Sequence, residues 1–254
     1  KQLGKTTVFT ASDVANLQTE FAKLGFTAQE IDQVTEATLY LAQATDSDLG
    51  KAAEVAGATL RGFGMDAVET GRVTDVMAKS FSTSALDMDS FADSMKYVAP
   101  VANAAGLSIE ETTAMLGTLA NAGIKGSQAG TALRRIIADM GSEGGPTTEK
   151  IAALAEKGMT LEDAFDEVGR SAQTALLVLS ENTAQTTELT GTFDQAAGAA
   201  KGMADTMNDT SEGAMKRMQS AIEGAQIALG EALAPTMERM MGMLERAAGW
   251  FSGL

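Results

Sequence analysis

The chain has 254 residues, a formal net charge of −15, 44% hydrophobic and 5% aromatic content, and neither Cys nor His. That composition excludes disulfides, thiolate nucleophiles, imidazole bases and the usual zinc or copper ligands, and leaves open a carboxylate-only metal site or a carboxylate pair for acid–base work. Its 19 Lys and Arg are scattered among 34 Asp and Glu, which disfavours a phosphate-binding surface and favours solubility or a neighbour with a basic one.

The length allows one large domain or two small ones. Much of the apolar content is Ala and Met, so a shallow, adaptable core is expected. The first residues, Lys1 to Asp13, lack the apolar run of a signal peptide. No window approaches the ~20 apolar residues of a spanning helix, and a soluble chain is expected. Opening on Lys1 rather than Met is what a piece of a longer product would do.

Residues 1–10 are polar and read as a strap, with Val8 and Phe9 a minimal strand signal. Ser12 is the expected cap of a helix to Leu24, with Val14, Leu17, Phe21 and Leu24 on one face. Thr27-x-x-Glu30 is a capping box opening a helix through Val34, Leu39 and Leu41 to Thr45. Ser47 or Asp48 starts the next helix, which ends at Gly64. Thr70 to Phe81 is its partner, with Val73, Val76 and Met77 inward. Asp87 caps a helix carrying Met88, Phe91, Met95 and Val98, where Pro100 removes a backbone donor and predicts a kink. Ser108 and Glu111 form a second capping box, and Ile109, Leu116 and Leu119 carry that helix to Gly123. Lys125-Gly126-Ser127 reads as a connector into a helix from Gln128 to Met140.

One helix stop recurs. Phe21…Gly25-Phe26, Leu60…Gly64-Met65, Leu119…Gly123-Ile124 and Leu154…Gly158-Met159 fit the Schellman pattern, with Ala102…Gly106-Leu107 a weaker copy. Helices ended by one device imply stacked helical hairpins, an all-α fold with little room for strands. Thr59-Leu60, Gly64 and Gly71 also match Thr118-Leu119, Gly123 and Gly130 at constant spacing, either as an internal duplication or by chance between two Ala/Gly-rich helices.

Gly141 to Pro146 is the strongest breaker, so a boundary is placed between a core of 11–141 and a second helical subdomain of 147–210. There, Thr147 or Thr148 caps a helix to Lys157, and Thr160-x-x-Asp163 opens another to Val168. A helix from Ser171 to Glu188 follows. Its run Ala175-Leu-Leu-Val-Leu179 predicts burial nearly all round, and a break is expected near Gly191. Phe193 to Met207 reads as a soft Ala/Gly-rich helix.

The segment 211–254 differs in kind. Met215, Met218, Ile222, Ala225 and Leu229, then Leu233, Met237, Met240, Leu244, Ala247 and Phe251, alternate in steps of three and four with an insertion beside Pro235. This is the seam of a long amphipathic, coiled-coil-like helix of ~60 Å, a candidate oligomerisation or anchoring segment. Two helices broken at Pro235 would give the same pattern. Trp250, Phe251 and Leu254 are the last layer of that bundle or the edge of a membrane-interacting stretch.

Several motifs have simpler readings than the chemistry they mimic. Gly123-Ile-Lys-Gly126 matches the GxxG loop of one nucleic-acid-binding domain class, but no strands surround it. Gly126 to Thr131 is glycine-rich without the Gly-Lys-Ser/Thr order of a phosphate loop. Glu110-Glu111 and Glu162-Asp163 suit first helical turns, and Asp166-Glu167 a solvated face. Asp46-Ser47-Asp48 lacks the remainder of a calcium loop. Arg134-Arg135 reads as exposed helix charge. No catalytic, cofactor-binding or metal-ligating residue is assigned, and no cofactor is expected.

The block Tyr97–Arg135, YVAPVANAAGLSIEETTAMLGTLANAGIKGSQAGTALRR, closely resembles the core region of bacteriophage tail tape measure proteins. So do Thr38–Ala67 (TLYLAQATDSDLGKAAEVAGATLRGFGMDA) and Gly213–Met237 (GAMKRMQSAIEGAQIALGEALAPTM), in the same order. AGIKGSQAGTALR is the most specific piece, and the likeness runs from about Thr27 onward. The resemblance implies a non-enzymatic structural component of a phage or prophage-derived tail that sets tail length during tube assembly and is released at DNA ejection. It implies a homo-oligomer, a trimer, in the tail lumen or tip. The implied partners are the tail tube protein, distal tail or baseplate hub proteins and, in the host cytoplasm, tail assembly chaperones. No nucleic acid recognition is implied, and contact with the host membrane at ejection stays open. The alternatives are a membrane-active helical protein or part of a tail-associated peptidoglycan hydrolase.

Overall fold

Backbone geometry at the helix ends sets the plan of the molecule. The computed structural model describes residues 8–141 and 147–251. Among them the secondary structure is α-helix apart from one 3-10 turn, Ala67–Glu69, with no strand. The all-α expectation holds. The helices are α1 (Ala11–Lys23), α2 (Ala28–Ala44), α3 (Leu49–Gly62), α4 (Thr70–Thr83), α5 (Met88–Ala104), α6 (Ile109–Asn121) and α7 (Gly126–Gly141). They continue as α8 (Thr147–Glu156), α9 (Leu161–Val168), α10 (Gln173–Glu181), α11 (Thr183–Asp194), α12 (Ala199–Asn208) and α13 (Ser211–Phe251). The chain divides into two compact units, Asn16–Met207 and a smaller one made of the chain up to Ala15 with that from Asn208. The breaker at 142–146, strap residues 1–7 and the last residues, 252–254, lie outside the described residues.

The recurring stop is real. At the end of α6, Ile124 N–H donates to the Leu119 carbonyl and Gly123 N–H to the Ala120 carbonyl, both at 2.9 Å. Gly123 has φ +86, which glycine adopts without the Cβ clash other residues meet. The same pair of bonds closes α1 at Gly25, α3 at Gly64 and α5 at Gly106. At Gly25 the flanking Phe21 and Phe26 rings meet edge to face at 5.3 Å. Helix α2 ends by the same device without glycine. Ser47 N–H donates to the Ala42 carbonyl at 2.9 Å, and Asp46 takes φ +47.

The capping boxes at Thr27/Glu30, Ser108/Glu111 and Thr160/Asp163 form as expected. Helix α1 is a correction. Its cap is Thr10, whose Oγ1 accepts the Asp13 N–H at 3.1 Å while Asp13 accepts the Thr10 N–H at 2.9 Å. Ser12 lies inside the first turn.

Helix α5 is the spine of the large unit. A Cβ on Gly130 of α7 would lie 2.4 Å from the Ser94 carbonyl oxygen of α5, so the two backbones touch there. The Ser94 hydroxyl, shared with its own turn, donates to the Gly126 carbonyl at 2.8 Å. Further along, a Cβ on Gly62 of α3 would fall 2.8 Å from the Ala99 Cβ. Helix α5 continues through Pro100 without interruption.

Helix α6 is buried from Ile109 to Ala120 except at Glu111. It packs against α4, α5, α7, α10 and α11. Small residues and threonines make this possible. Thr112 and Thr118 donate their hydroxyls to carbonyls one turn back, at 2.8 and 3.0 Å, and so enter the core satisfied. The run Ala175–Leu179 of α10 was expected to be buried all round, but Leu177 and Val178 are half-exposed. The helix enclosed on all sides is α6.

The expected Ser171–Glu188 helix is two. The break falls at Asn182, whose side chain donates to the Val178 carbonyl at 2.8 Å while its backbone leaves the helical region. Gly191, the expected break, lies inside α11. Thr187, Thr190 and Thr192 each bond back to a carbonyl one turn earlier at 2.8–2.9 Å, which keeps the Thr-rich segment helical. Pro235 likewise does not divide the C-terminal segment, since α13 is one helix of 41 residues.

Gly71 and Gly130, equivalent in the apparent duplication, have opposite surroundings. No heavy atom would lie within 4 Å of a Cβ on Gly71. Urea denaturation should therefore separate them. Gly130→Ala is expected to cost about 2–3 kcal/mol or more by forcing α5 and α7 apart, whereas Gly71→Ala should raise stability by about 0.5–1 kcal/mol.

Candidate functional site

The carboxylates, cavities and exposed apolar surface are the places where this chain could act. The acidic pairs are employed in the fold. Glu111 and Asp163 close capping boxes, Asp48 caps α3, and Glu162, Asp166 and Glu167 are exposed. Among the described residues, no group of three or more Asp and Glu could hold a metal ion. Arg134 is exposed, and Arg135 pairs with Asp139 one turn on. Gly123 is a helix stop and Gly130 a packing position. The Glu30 and Asp87 carboxyls accept amide hydrogens at Thr27 and Ser90 and are held below their ordinary values.

Glu110 is the carboxylate whose place the sequence did not show. Its neighbour takes the capping role, and Glu110 turns inward with its side chain 5% exposed. Arg72 of α4 grips it with two parallel bonds, Nε to Oε1 at 2.6 Å and Nη2 to Oε2 at 2.7 Å, and Glu69 flanks the same guanidinium. Burial alone would raise the Glu110 carboxyl. The Arg72 bonds, aided by its own amide and the Ser108 hydroxyl, outweigh burial and hold it below the usual glutamate range. Arg72 is bound up in this pair, which ties α4 to α6.

Two cavities open in the large unit. One of about 410 Å³ lies between α3 and α5, lined by Val55, Met95 and Pro100 under a rim mixing Lys51, Lys96, Glu54 and Asp93. Another of about 360 Å³ lies among α6, α8, α10 and α11, with Met115, Ile151 and Leu179 facing a wall of Thr183, Thr186, Thr187 and Thr190. Neither brings an acid and a base onto one reacting position.

The larger feature is α13. Met215, Met218, Ile222, Leu229, Leu233, Met237, Met240, Met241 and Met243 are each between 52% and 68% exposed. The opposite face is engaged. Gly213 and Ser220 are buried, and Glu223 and Ile227 half-buried. The Ser220 hydroxyl donates to the Phe9 carbonyl at 2.9 Å, and Glu223 Oε1 accepts the Ser12 N–H at 3.2 Å. The strap of residues 8–15, with Val8 and Val14 buried, thus lies along one side of α13 while the seam at Met215, Met218, Ile222 and Leu229 stays open. No described helix is long and apolar enough to cross a membrane.

Fold and surface together define an all-helical protein, with closely packed helices in its core and one long helix offering an exposed apolar stripe. The chain belongs to the phage-related minor tail protein family, whose model matches residues 1–229. It is 32% identical to the tape measure protein of Pneumococcus phage Dp-1, over 96% of this chain and 24% of that protein. It is 29% identical to the probable tape measure protein of Escherichia phage P2, over 88% of this chain and 31% of that one. The chain thus spans less than a third of the length of either of these curated relatives. No solved structure matches it.

The Arg72–Glu110 pair sets a pH dependence. A carboxyl depressed in the folded state adds stability that is complete above its unfolded pKa, about 4.3, and is lost as pH falls through the lower folded value. Arg72→Ala should cost about 2–3 kcal/mol at neutral pH by leaving Glu110 buried and unpaired. That cost should shrink as acid protonates Glu110, whose carboxyl without Arg72 is pushed up by burial, read as the difference between wild-type and variant urea midpoints across pH.

Proposed function

We propose that this chain is a folded part of a bacteriophage or prophage-derived tape measure protein, a structural component of the tail rather than an enzyme. The observation that carries this reading is similarity along 96% and 88% of the chain to two proteins bearing that name. A helical protein is a physically sound ruler, because each residue adds ~1.5 Å of length. The unit Asn16–Met207 instead packs its helices side by side, and so serves as a head that anchors the ruler rather than as its length. Its place is the tail lumen or tip. Its neighbours are tube subunits and distal tail or hub proteins, with assembly chaperones acting in the host cytoplasm.

The anchoring device is α13, which joins copies of the chain through its open seam. The positions beside that seam are Ala214, Ala221, Ala228, Gln219 and Gln226, small or neutral. Helix α13 carries five acidic and four basic residues, a net −1 out of the chain's −15. Copies can therefore meet along it without the repulsion that the rest of the chain would impose. Each large apolar side chain covered there contributes about 1.5–3 kcal/mol.

Sedimentation equilibrium of the purified chain at micromolar concentration tests this. The expected mass is a multiple of 26.2 kDa, with a trimer the form implied by resemblance, and Leu229→Asp should weaken association at least tenfold. A monomer that floats with anionic liposomes would replace self-association by a membrane role for α13. Clearing of cell wall in a zymogram would overturn the structural reading itself.

A further inference from the structure

Helix α12 has almost no apolar anchor. It buries only Ala200 and Ala204, while Lys201, Gly202, Asp205 and Thr206 are exposed. Nor does it carry a cap of its own, because the residue before it is Gly198, with φ +80 and no side chain to offer. The cap comes from α4. Asp75 Oδ2 accepts the Gly198 N–H at 2.7 Å and Oδ1 accepts the Ala200 N–H at 2.9 Å. Towards the other end, the buried Gln43 of α2 donates Nε2–H to the Ala204 carbonyl at 2.7 Å.

Both contacts take hold of backbone, not of side chains. The Asp75 bonds are charge-assisted and sit at the positive end of the α12 dipole, so they are strong for their number. They are also separable from the core, whose filling is supplied by residues such as Phe91, Leu116, Leu133 and Ile136 on α5, α6 and α7. Elements with few buried apolar contacts are the ones that open locally while the remainder stays folded.

We propose that α12 is a releasable clasp. Asp75 and Gln43 hold it closed, and its opening exposes Ala196, Ala200, Ala204 and half-buried Met203 while α1 to α11 remain packed. Opening frees residues 195–210, which reach up to about 50 Å when extended, and so lengthens the link that leads into α13. The device is built from the chain's own contacts and does not rest on the tail reading.

Hydrogen exchange by mass spectrometry on the intact chain tests it, comparing wild type with Asp75→Asn, Gln43→Ala and the double variant. Asparagine keeps the shape of Asp75 while removing its charge and one acceptor. Amides 200–208 should exchange at least tenfold faster in each variant and faster still in the double one, while peptides from α5, α6 and α7 keep wild-type protection. Trypsin cleavage at Lys201, exposed but helical, should accelerate in the same order. Unchanged exchange over 200–208 in the double variant would overturn the clasp. So would a gain matched in α5 to α7, which would make Asp75 and Gln43 ordinary supports of the whole fold.

Discussion

Two helix backbones in contact, α5 and α7 at Ser94 and Gly130, form the constraint on which the rest of the large unit depends. Glycine at that crossing lets the helices approach closer than any side chain would allow. Gly62 against Ala99 repeats the device between α3 and α5. With α5 held closely from two neighbours, α6 is enclosed by helices and buries Ala114, Gly117 and three threonines beside Ile109, Met115, Leu116 and Leu119. Glycine and alanine stand at the crossings where backbones meet, and large side chains such as Phe21, Leu39, Leu60, Phe91 and Leu133 fill the core along the same helices.

What the sequence showed was local. A capping box and a Schellman stop involve residues within six positions of one another, and both were readable at Thr27, Ser108, Thr160, Gly25, Gly64 and Gly123. The misses share a physical cause. Asp46 adopts a left-handed backbone without being glycine, so a search for glycine passed over it. The α10–α11 break lies at Asn182, whose amide bonds its own preceding turn, while Gly191, the better breaker by composition, is kept helical by its threonine neighbours. Helix α6 gave a one-faced apolar pattern in sequence, yet it is buried from Ile109 to Ala120 except at Glu111, with the Thr112 and Thr118 hydroxyls bonded within their own helix. The contacts that draw helices together across the chain, Arg72 with Glu110 and Asp75 with the start of α12, had no sequence signal, since their partners lie 38 and 123 residues away. Among the candidate sites, the α13 seam was legible from its spacing. That its opposite face would be engaged by residues 8–15 was not.

The small unit combines these themes. Ser220 and Glu223 receive the strap through one carbonyl and one amide, so the strap binds α13 on polar terms and leaves the apolar side open.

If copies of the chain pair along the uncovered stripe on α13, the two units would answer differently to dilution. Whatever binds only the folded form of a helix raises its apparent stability by mass action, so a helix stabilised by its own copies melts at a temperature that climbs with protein concentration. The unit Asn16–Met207 carries its core within itself and has no such dependence. Heat applied to a dilute sample would then melt α13 before the large unit.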